Sequence, residues 1–148
     1  DATVAITHRD PVSVIQSAVT MLAYGQRRTR DPVDTFGLIQ YWSDRVLHLL
    51  QACVQDRDVL PAERSIDVLF HEFMADDISM VEKIYTRADL SLGESTRREL
   101  AAYMDAHPRG RDGRVVYDLR GDFGVDPAEL RERFSFYFQR FPVREEVN

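Results

Sequence analysis

The residues of this chain that are best suited to chemistry are arginines placed beside turns. Arg9 follows a short β-branched run at residues 3–7, and Ser17 comes eight positions after Arg9. Farther along, residues 109–114 contain three arginines and two glycines. Arginine offers an oxyanion a planar fork of donors, and glycine lets the backbone approach a ligand closely. These residue types predict that the chain binds an anion.

The elements around Arg9 indicate why this side chain should be available to a ligand. Residues 3–7 are apolar and β-branched apart from their threonines, which is typical of a strand buried in a parallel sheet. Asp10 can then cap a helix, and Pro11 suits its first turn, because proline's fixed φ fits there and its missing N–H was unpaired anyway. Arg9 is therefore predicted at the carboxyl end of a strand, where open α/β sheets bind ligands.

Alternating apolar residues predict a second strand at residues 65–70. We expect it to run parallel to the first strand in one small sheet, with a right-handed crossover that contains the first two helices. Cap signals and apolar stripes at helical spacing place most of the remaining chain in helices, and residues 143–148 are expected to be a frayed tail. The predicted helices begin at Pro11, at Asp31-Pro32 (ending near Asp56), near Asp76 or Asp77, at Glu94 (ending near Ala106) and at Asp126-Pro127.

The composition of the 148-residue chain narrows the classes of partner. Its net charge of −6 argues against a nucleic-acid binder, because such a protein needs a basic face to displace counterions. No stretch reads as a secretory signal or is apolar enough to span a membrane, so we expect a cytoplasmic location. The first residue is not Met and leads directly into a strand, so we expect a fragment or a processed product.

Metal binding is not predicted. His71-Glu72 looks like the start of a metalloprotease helix motif, but that motif needs a second histidine four residues after the first, and Ala75 stands there. No other group of His, Cys and carboxylate residues has the spacing of metal ligands.

One of these stretches resembles a known element of the sulfotransferase family. Members of that family use 3′-phosphoadenosine 5′-phosphosulfate (PAPS) as the sulfuryl donor. Arg9, the Asp10-Pro11 helix start and Ser17 look like the family's 3′-phosphate-binding element. In the family the arginine and the serine both contact that phosphate, so the resemblance implies the same role for Arg9 and Ser17.

Two further stretches carry the same resemblance, in family order. Residues 68–77 are similar to a strand end whose tyrosine often touches the adenine, and here Phe70 stands at that position. Phe70 could pack on a base but lacks the hydroxyl. The loop of Arg109, Gly110 and Arg111 resembles the C-terminal loop that closes over the 3′-phosphate. The resemblance therefore implies that these residues bind the donor, and we expect the loop to share one pocket with the first stretch.

The resemblance implies an α/β fold, namely the C-terminal part of a nucleotide-loop (P-loop NTPase-like) sulfotransferase fold, mostly helical with a short parallel strand pair. Residues 1–148 would then form a single domain whose N-terminal phosphate-loop half is absent. The implied reaction moves a sulfuryl group from PAPS to a hydroxyl or amine of a small-molecule acceptor, without a metal. The catalytic residue is unknown, because the family's usual base precedes the matched stretches, and this part alone should not turn over substrate. A homodimer is one option for the oligomeric state.

Other interpretations stay open from the sequence. Arg9 would pair with a neighbouring carboxylate while Ser17 faces solvent, and residues 109–114 would be a polar connection. For the whole chain, the alternative is a helical ligand-binding or protein-interaction module without catalysis. Such modules are all-α, so a parallel strand pair distinguishes the two.

Overall fold

The computed structural model describes residues 2–108, 110, 111, 113 and 115–147. Backbone contacts divide the described chain into two compact units. Whether these units form a single domain, as the sequence predicts, stays a prediction. Unit 1 is formed by Asp1–His8 and Asp58–Val115, and unit 2 by Arg9–Arg57 and Val116–Asn148. Unit 1 contains β1 (Val4–His8), β2 (Ser65–Leu69), α3 (Phe70–Ala75), α4 (Asp77–Arg87) and α5 (Glu94–Ala106). Unit 2 contains α1 (Pro11–Gln26), α2 (Thr35–Asp56), α6 (Leu119–Phe123), α7 (Pro127–Glu132) and α8 (Ser135–Arg140). Short 3₁₀ turns at Arg57–Val59 and Ala62–Arg64 precede β2.

Unit 1 is built on a parallel pair of strands. β1 and β2 pair in register from Val4 opposite Ser65 to His8 opposite Leu69. A side-chain hydrogen bond also joins the two strands, because Nε2 of the buried His8 ring lies 2.9 Å from Oδ1 of Asp67. The prediction that both strands share one parallel sheet is confirmed, which contradicts an all-α module. The right hand of the crossover stays a prediction.

The core of unit 2 forms around α1. Its buried residues recur at three- and four-residue steps, so one stripe of the helix is closed to solvent, as the sequence predicts. α2, α6 and α7 supply the facing side chains. The buried cluster consists of Val12, Ile15, Val19 and Ala23 from α1, Leu38 and Ile39 from α2, and Leu119, Phe123, Leu130 and Phe134.

The start of α2 corrects the sequence prediction. The helix begins at Thr35, and Asp34 caps it by accepting a 2.8 Å hydrogen bond from the Gly37 amide. Asp31 and Pro32 lie in a bend before this cap. The carboxylate that can reach an unpaired amide of the first turn decides where the helix starts, and that carboxylate is Asp34.

Helix boundaries elsewhere also differ from the prediction. β2 ends at Leu69, so Phe70 is the first residue of α3 and not the last of the strand. The single final helix is two short helices, α7 and α8, because the backbone of Phe134 leaves helical geometry (φ −107°, ψ 11°) where its ring is fully buried.

The short helix α6 was not predicted, although the sequence carries its signals. The Asp118 side chain caps its start, and Gly124 ends it with a left-handed φ of 67°. An aspartate cap followed by a glycine at this distance is a recognisable pair of helix limits. In the part of the chain that the structure describes, no helix is long and apolar enough to cross a membrane.

The capping of α2 can be tested by stability measurements on a pair of variants. Asp34→Ala removes the acceptor for the Gly37 amide and should lower the free energy of unfolding by about 1 kcal/mol. Asp31→Ala, four residues before the helix, should change it by less than about 0.5 kcal/mol. Urea denaturation of both variants measures these changes. A larger loss of unfolding free energy for Asp31→Ala than for Asp34→Ala would show that Asp31 is the cap, as the sequence predicts.

Candidate functional site

The buried carboxylate of Asp10 fixes the start of α1. Its Oδ1 accepts a 2.9 Å hydrogen bond from the Val12 amide, which is the predicted helix cap. Its Oδ2 accepts a 2.8 Å hydrogen bond from the Glu146 amide, 136 positions away. Asp10 is fully buried, and Nη2 of Arg131 lies 3.7 Å from the same Oδ2. One carboxylate therefore joins the helix start to the end of the chain.

The C-terminal segment, defined as residues 143–147, is attached to unit 2 along its length. Arg131 donates a hydrogen bond to the Val147 carbonyl, and its Nε lies 3.5 Å from Oε2 of Glu145. The Asp10 contact holds the Glu146 amide between these two points. The prediction that this segment is a frayed tail is therefore wrong for residues 143–147, because buried and half-buried charges of unit 2 bind both its backbone and its side chains.

The guanidinium of Arg9 binds the carboxylate of Glu146 at two points. Nε of Arg9 lies 2.9 and 3.0 Å from Oε1 and Oε2, and Nη2 lies 2.7 Å from Oε2. The Ser13 hydroxyl is 3.4 Å from the same Oε2. The hydrogen bond to Glu146 raises the pKa of Arg9, against the opposing effect of partial burial. The carboxylate partner foreseen as an alternative is thus present, in the geometry by which arginine also binds phosphate.

Ser17 lies farther along the same helix and contacts Tyr117. The Ser17 and Tyr117 hydroxyl oxygens are 3.3 Å apart. The electrostatic interaction with Tyr117 makes a minor contribution to the raised pKa of Arg9, after the hydrogen bond and the charge of Glu146. Ser17 is half-buried, so it does not simply face solvent. The observed partner of Ser17 is thus the hydroxyl of Tyr117.

Sequence reasoning missed Tyr117, Glu146 and Arg131 as members of this cluster. Tyr117 is 100 positions from Ser17, and Glu146 is 137 positions from Arg9. No local pattern connects residues at such separations. The acidic pair Glu145-Glu146 is visible in the sequence, but nothing near it indicates which arginine it contacts.

The other predicted donor-binding residues belong to unit 1. Phe70 is half-buried at the start of α3. Gly110 has a φ of 79°, which favours glycine, and the exposed Arg111 donates from Nη1 to the Ala106 carbonyl at 3.4 Å. Arg109 lies outside the described residues. The expected pocket shared by this loop and the Arg9 stretch stays a prediction.

The chemistry available to the cluster in unit 2 is oxyanion binding. Arg9 supplies a bidentate edge, while Ser13, Ser17 and Tyr117 supply neutral hydroxyls. In the described ranges, no three His, Cys, Asp or Glu side chains come together as a metal site would require. No residue of this cluster is assigned to proton transfer.

One substitution can distinguish the two roles of Asp10, which are to cap α1 and to bind the C-terminal segment. Asparagine caps helices as well as aspartate, so Asp10→Asn keeps the Val12 contact. The NH2 group that replaces Oδ2 cannot accept from the Glu146 amide, and the neutral side chain cannot offset the charge of Arg131, so we expect a loss of about 1.5–3 kcal/mol in unfolding free energy. Asp34→Asn, at an exposed cap, is the control and should be nearly neutral. Equal stability of the two variants in urea denaturation would contradict the assignment of the second role.

Comparisons with known proteins agree with this fold. The sulfotransferase family model matches residues 1–94. Sulfotransferase STF9 from Mycobacterium avium superimposes with a TM-score of 0.80 at 22% identity, over 95% of this chain and 36% of that one. Sulfotransferase STF1 from Mycobacterium tuberculosis H37Rv gives 0.67 at 22% identity, over 92% of this chain and 34% of that one. A comparison with curated protein sequences gave no match.

These similarities differ in what they establish. The chain spans about a third of the length of either solved sulfotransferase, and at 22% identity the two structures speak for the fold alone. The fold agrees with the α/β prediction of a mostly helical chain with a short parallel strand pair. Because the family model matches more than half of its residues, the chain belongs to the sulfotransferase family.

Proposed function

We propose that this chain is the part of a PAPS-dependent sulfotransferase that binds the 3′-phosphate of the donor, with Arg9 as the principal ligand. The complete protein would move a sulfuryl group from PAPS to a hydroxyl or amine of a small-molecule acceptor. The residues of this chain would hold the nucleotide while the sulfuryl group reacts elsewhere on it. Binding energy from such a remote group positions the reacting end.

The observation that carries this proposal is the bidentate edge of Arg9. Its Nε and Nη2 already hold an oxyanion, the Glu146 carboxylate, at 2.7–3.0 Å. A phosphate accepts hydrogen bonds from the same two donors in the same planar arrangement. A 3′-phosphate carries close to two negative charges at neutral pH, so a permanently charged guanidinium is a suitable partner for it. Arg9 also directly precedes Asp10, the N-cap of α1, and the N-terminal end of a helix favours negative charge.

The hydroxyls near Arg9 support the proposal. Ser17 and Tyr117 lie within hydrogen-bonding distance of each other, and either hydroxyl can turn its proton toward a phosphate oxygen. Tyr117 also contributes electrostatically at Arg9. Neutral donors add directional contacts without adding charge. We therefore assign Tyr117 to the 3′-phosphate site together with Arg9 and Ser17.

Residues of unit 1 are assigned to the same nucleotide on the strength of the family resemblance. Phe70 would pack on the adenine, and Arg109, Gly110 and Arg111 would close on the 3′-phosphate. The positive φ of Gly110 and the exposure of Arg111 suit a loop that presents backbone and charge to a ligand. Proposed partners are thus a nucleotide donor and a small-molecule acceptor, with no metal.

The role of Arg9 predicts a specific loss of affinity. In the full-length protein, Arg9→Ala should weaken binding of PAPS and of adenosine 3′,5′-bisphosphate by about 1.5–3 kcal/mol, because one charged hydrogen-bonding group is lost. Acceptor binding should change much less. Isothermal titration calorimetry measures both. Arg133→Ala, which breaks an ion pair with Asp44, is the control for loss of a positive charge, and an equal effect of the two variants would refute the assignment.

The role of Tyr117 predicts a smaller and non-additive effect. Tyr117→Phe removes only the hydroxyl and should weaken binding of adenosine 3′,5′-bisphosphate by about 0.5–1.5 kcal/mol. Ser17→Ala should have a similar effect. The double variant should lose less than the sum, since the two hydroxyls contact each other. No effect of Tyr117→Phe would show that this hydroxyl lies outside the site, and strict additivity would show that the two hydroxyls do not act together.

A further inference from the structure

We infer that Glu146 is a resident anion of the Arg9 site, which holds the phosphate-binding edge of Arg9 in the free protein and must leave it when the donor nucleotide binds. This inference rests on the proposed function, because it takes the phosphate to bind at the same edge. It assigns to the C-terminal segment a competitive role that sets the affinity for the nucleotide.

The geometry supports competition for one edge. The Glu146 carboxylate uses both Nε and Nη2 of Arg9, which are the two donors that form a fork for an oxyanion. Its Oε2 also approaches the Ser13 hydroxyl, one turn of α1 before Ser17. A phosphate that took the bidentate edge of Arg9 would place an oxygen where Oε2 now lies. The two anions therefore exclude each other.

The C-terminal segment is held in a way that lets the side chain leave alone. The Glu146 amide is bound to the buried carboxylate of Asp10, and Arg131 binds the backbone of Val147. These anchors do not involve the Glu146 carboxylate. Rotation of the Glu146 side chain moves its carboxylate away from Nε and Nη2 of Arg9 while the backbone stays attached. The carboxylate consequently remains at high local concentration as a competitor.

The ion pair between Arg9 and Glu146 is weak enough for a phosphate to replace the carboxylate. The side chains of Arg9 and Glu146 are 40% and 24% exposed, and partly exposed ion pairs are weak because water screens them. A single carboxylate charge faces a ligand with close to two charges. The phosphate of the nucleotide therefore displaces Glu146 from Arg9. Its affinity is lowered by the free energy needed to break the Arg9–Glu146 ion pair.

The test uses two neighbouring glutamates of the C-terminal segment in the full-length protein. Glu146→Gln should tighten binding of adenosine 3′,5′-bisphosphate about two- to fivefold, the factor expected for a partly exposed ion pair. Glu145→Gln removes the same charge one residue away, from a contact with Arg131, and should leave the affinity within about twofold. Isothermal titration calorimetry at one fixed salt concentration gives both values. An equal tightening by both variants would indicate a general charge effect and overturn the inference.

A double-mutant cycle separates this inference from the proposed function. In the Arg9→Ala background, Glu146→Gln should no longer tighten binding, because the contested edge is gone. If Arg9→Ala weakens binding but Glu146→Gln alone leaves it unchanged or weakens it, Glu146 is a support for Arg9 and the inference fails by itself. If Arg9→Ala does not weaken binding at all, the proposed phosphate site fails as well. Thermal denaturation of each variant identifies any loss of folding.

Discussion

The buried carboxylate of Asp10 is the interaction on which the cluster in unit 2 depends. A fully buried carboxylate is costly unless its oxygens are satisfied, and here an amide of α1, an amide of the C-terminal segment and a guanidinium satisfy them. The same group therefore fixes the helix that carries Ser13 and Ser17 and the segment that carries Glu146. Arg9 directly precedes Asp10, so its backbone is held by α1 and its side chain by the C-terminal segment.

The charges around Arg9 show how an acidic chain can contain a local site for an anion. With a net charge of −6, the chain as a whole repels a phosphate, so affinity must come from groups aimed at one point. Arg9 supplies a fixed positive charge, and Tyr117 and Ser17 supply neutral donors. The Glu146 carboxylate holds the Arg9 guanidinium in place without an external ligand. Under the proposed function, this one contact would both orient the guanidinium and compete with the phosphate.

The family assignment and the proposed chemistry rest on different observations. Membership follows from the match over residues 1–94, and the fold from solved sulfotransferases of which this chain covers about a third. The proposed phosphate-binding role is inferred from the geometry of Arg9 and its neighbours. In a sulfotransferase, a residue that holds the far end of the donor contributes to the reaction by fixing the position of the sulfuryl group. The chemistry of Arg9 fits that indirect role better than proton transfer, because a guanidinium does not release its proton in proteins.

The sequence by itself determined the two strands and most of the long helices, to within a few residues at their ends. The β-branched run gave the first strand, the Asp10-Pro11 pair gave the start of α1, and apolar spacing gave its buried stripe. These signals are local, since caps and periodic burial act over a few residues. Asp31 and Asp34 are both possible caps of α2. The start of this helix was decided by the hydrogen bond that Asp34 accepts from the Gly37 amide.

Only the tertiary structure decided what surrounds Arg9. Glu146 and Tyr117 reach the cluster from 137 and 100 positions away, and the energy of such contacts appears only after the chain has folded. The sequence pattern at residues 143–147 is that of an exposed polar tail, and it becomes ordered because Asp10 and Arg131 offer it charges that are already buried or half-buried. The place of Arg9 at the end of a strand could therefore be predicted from the sequence, whereas its partners depend on long-range packing that no local pattern encodes.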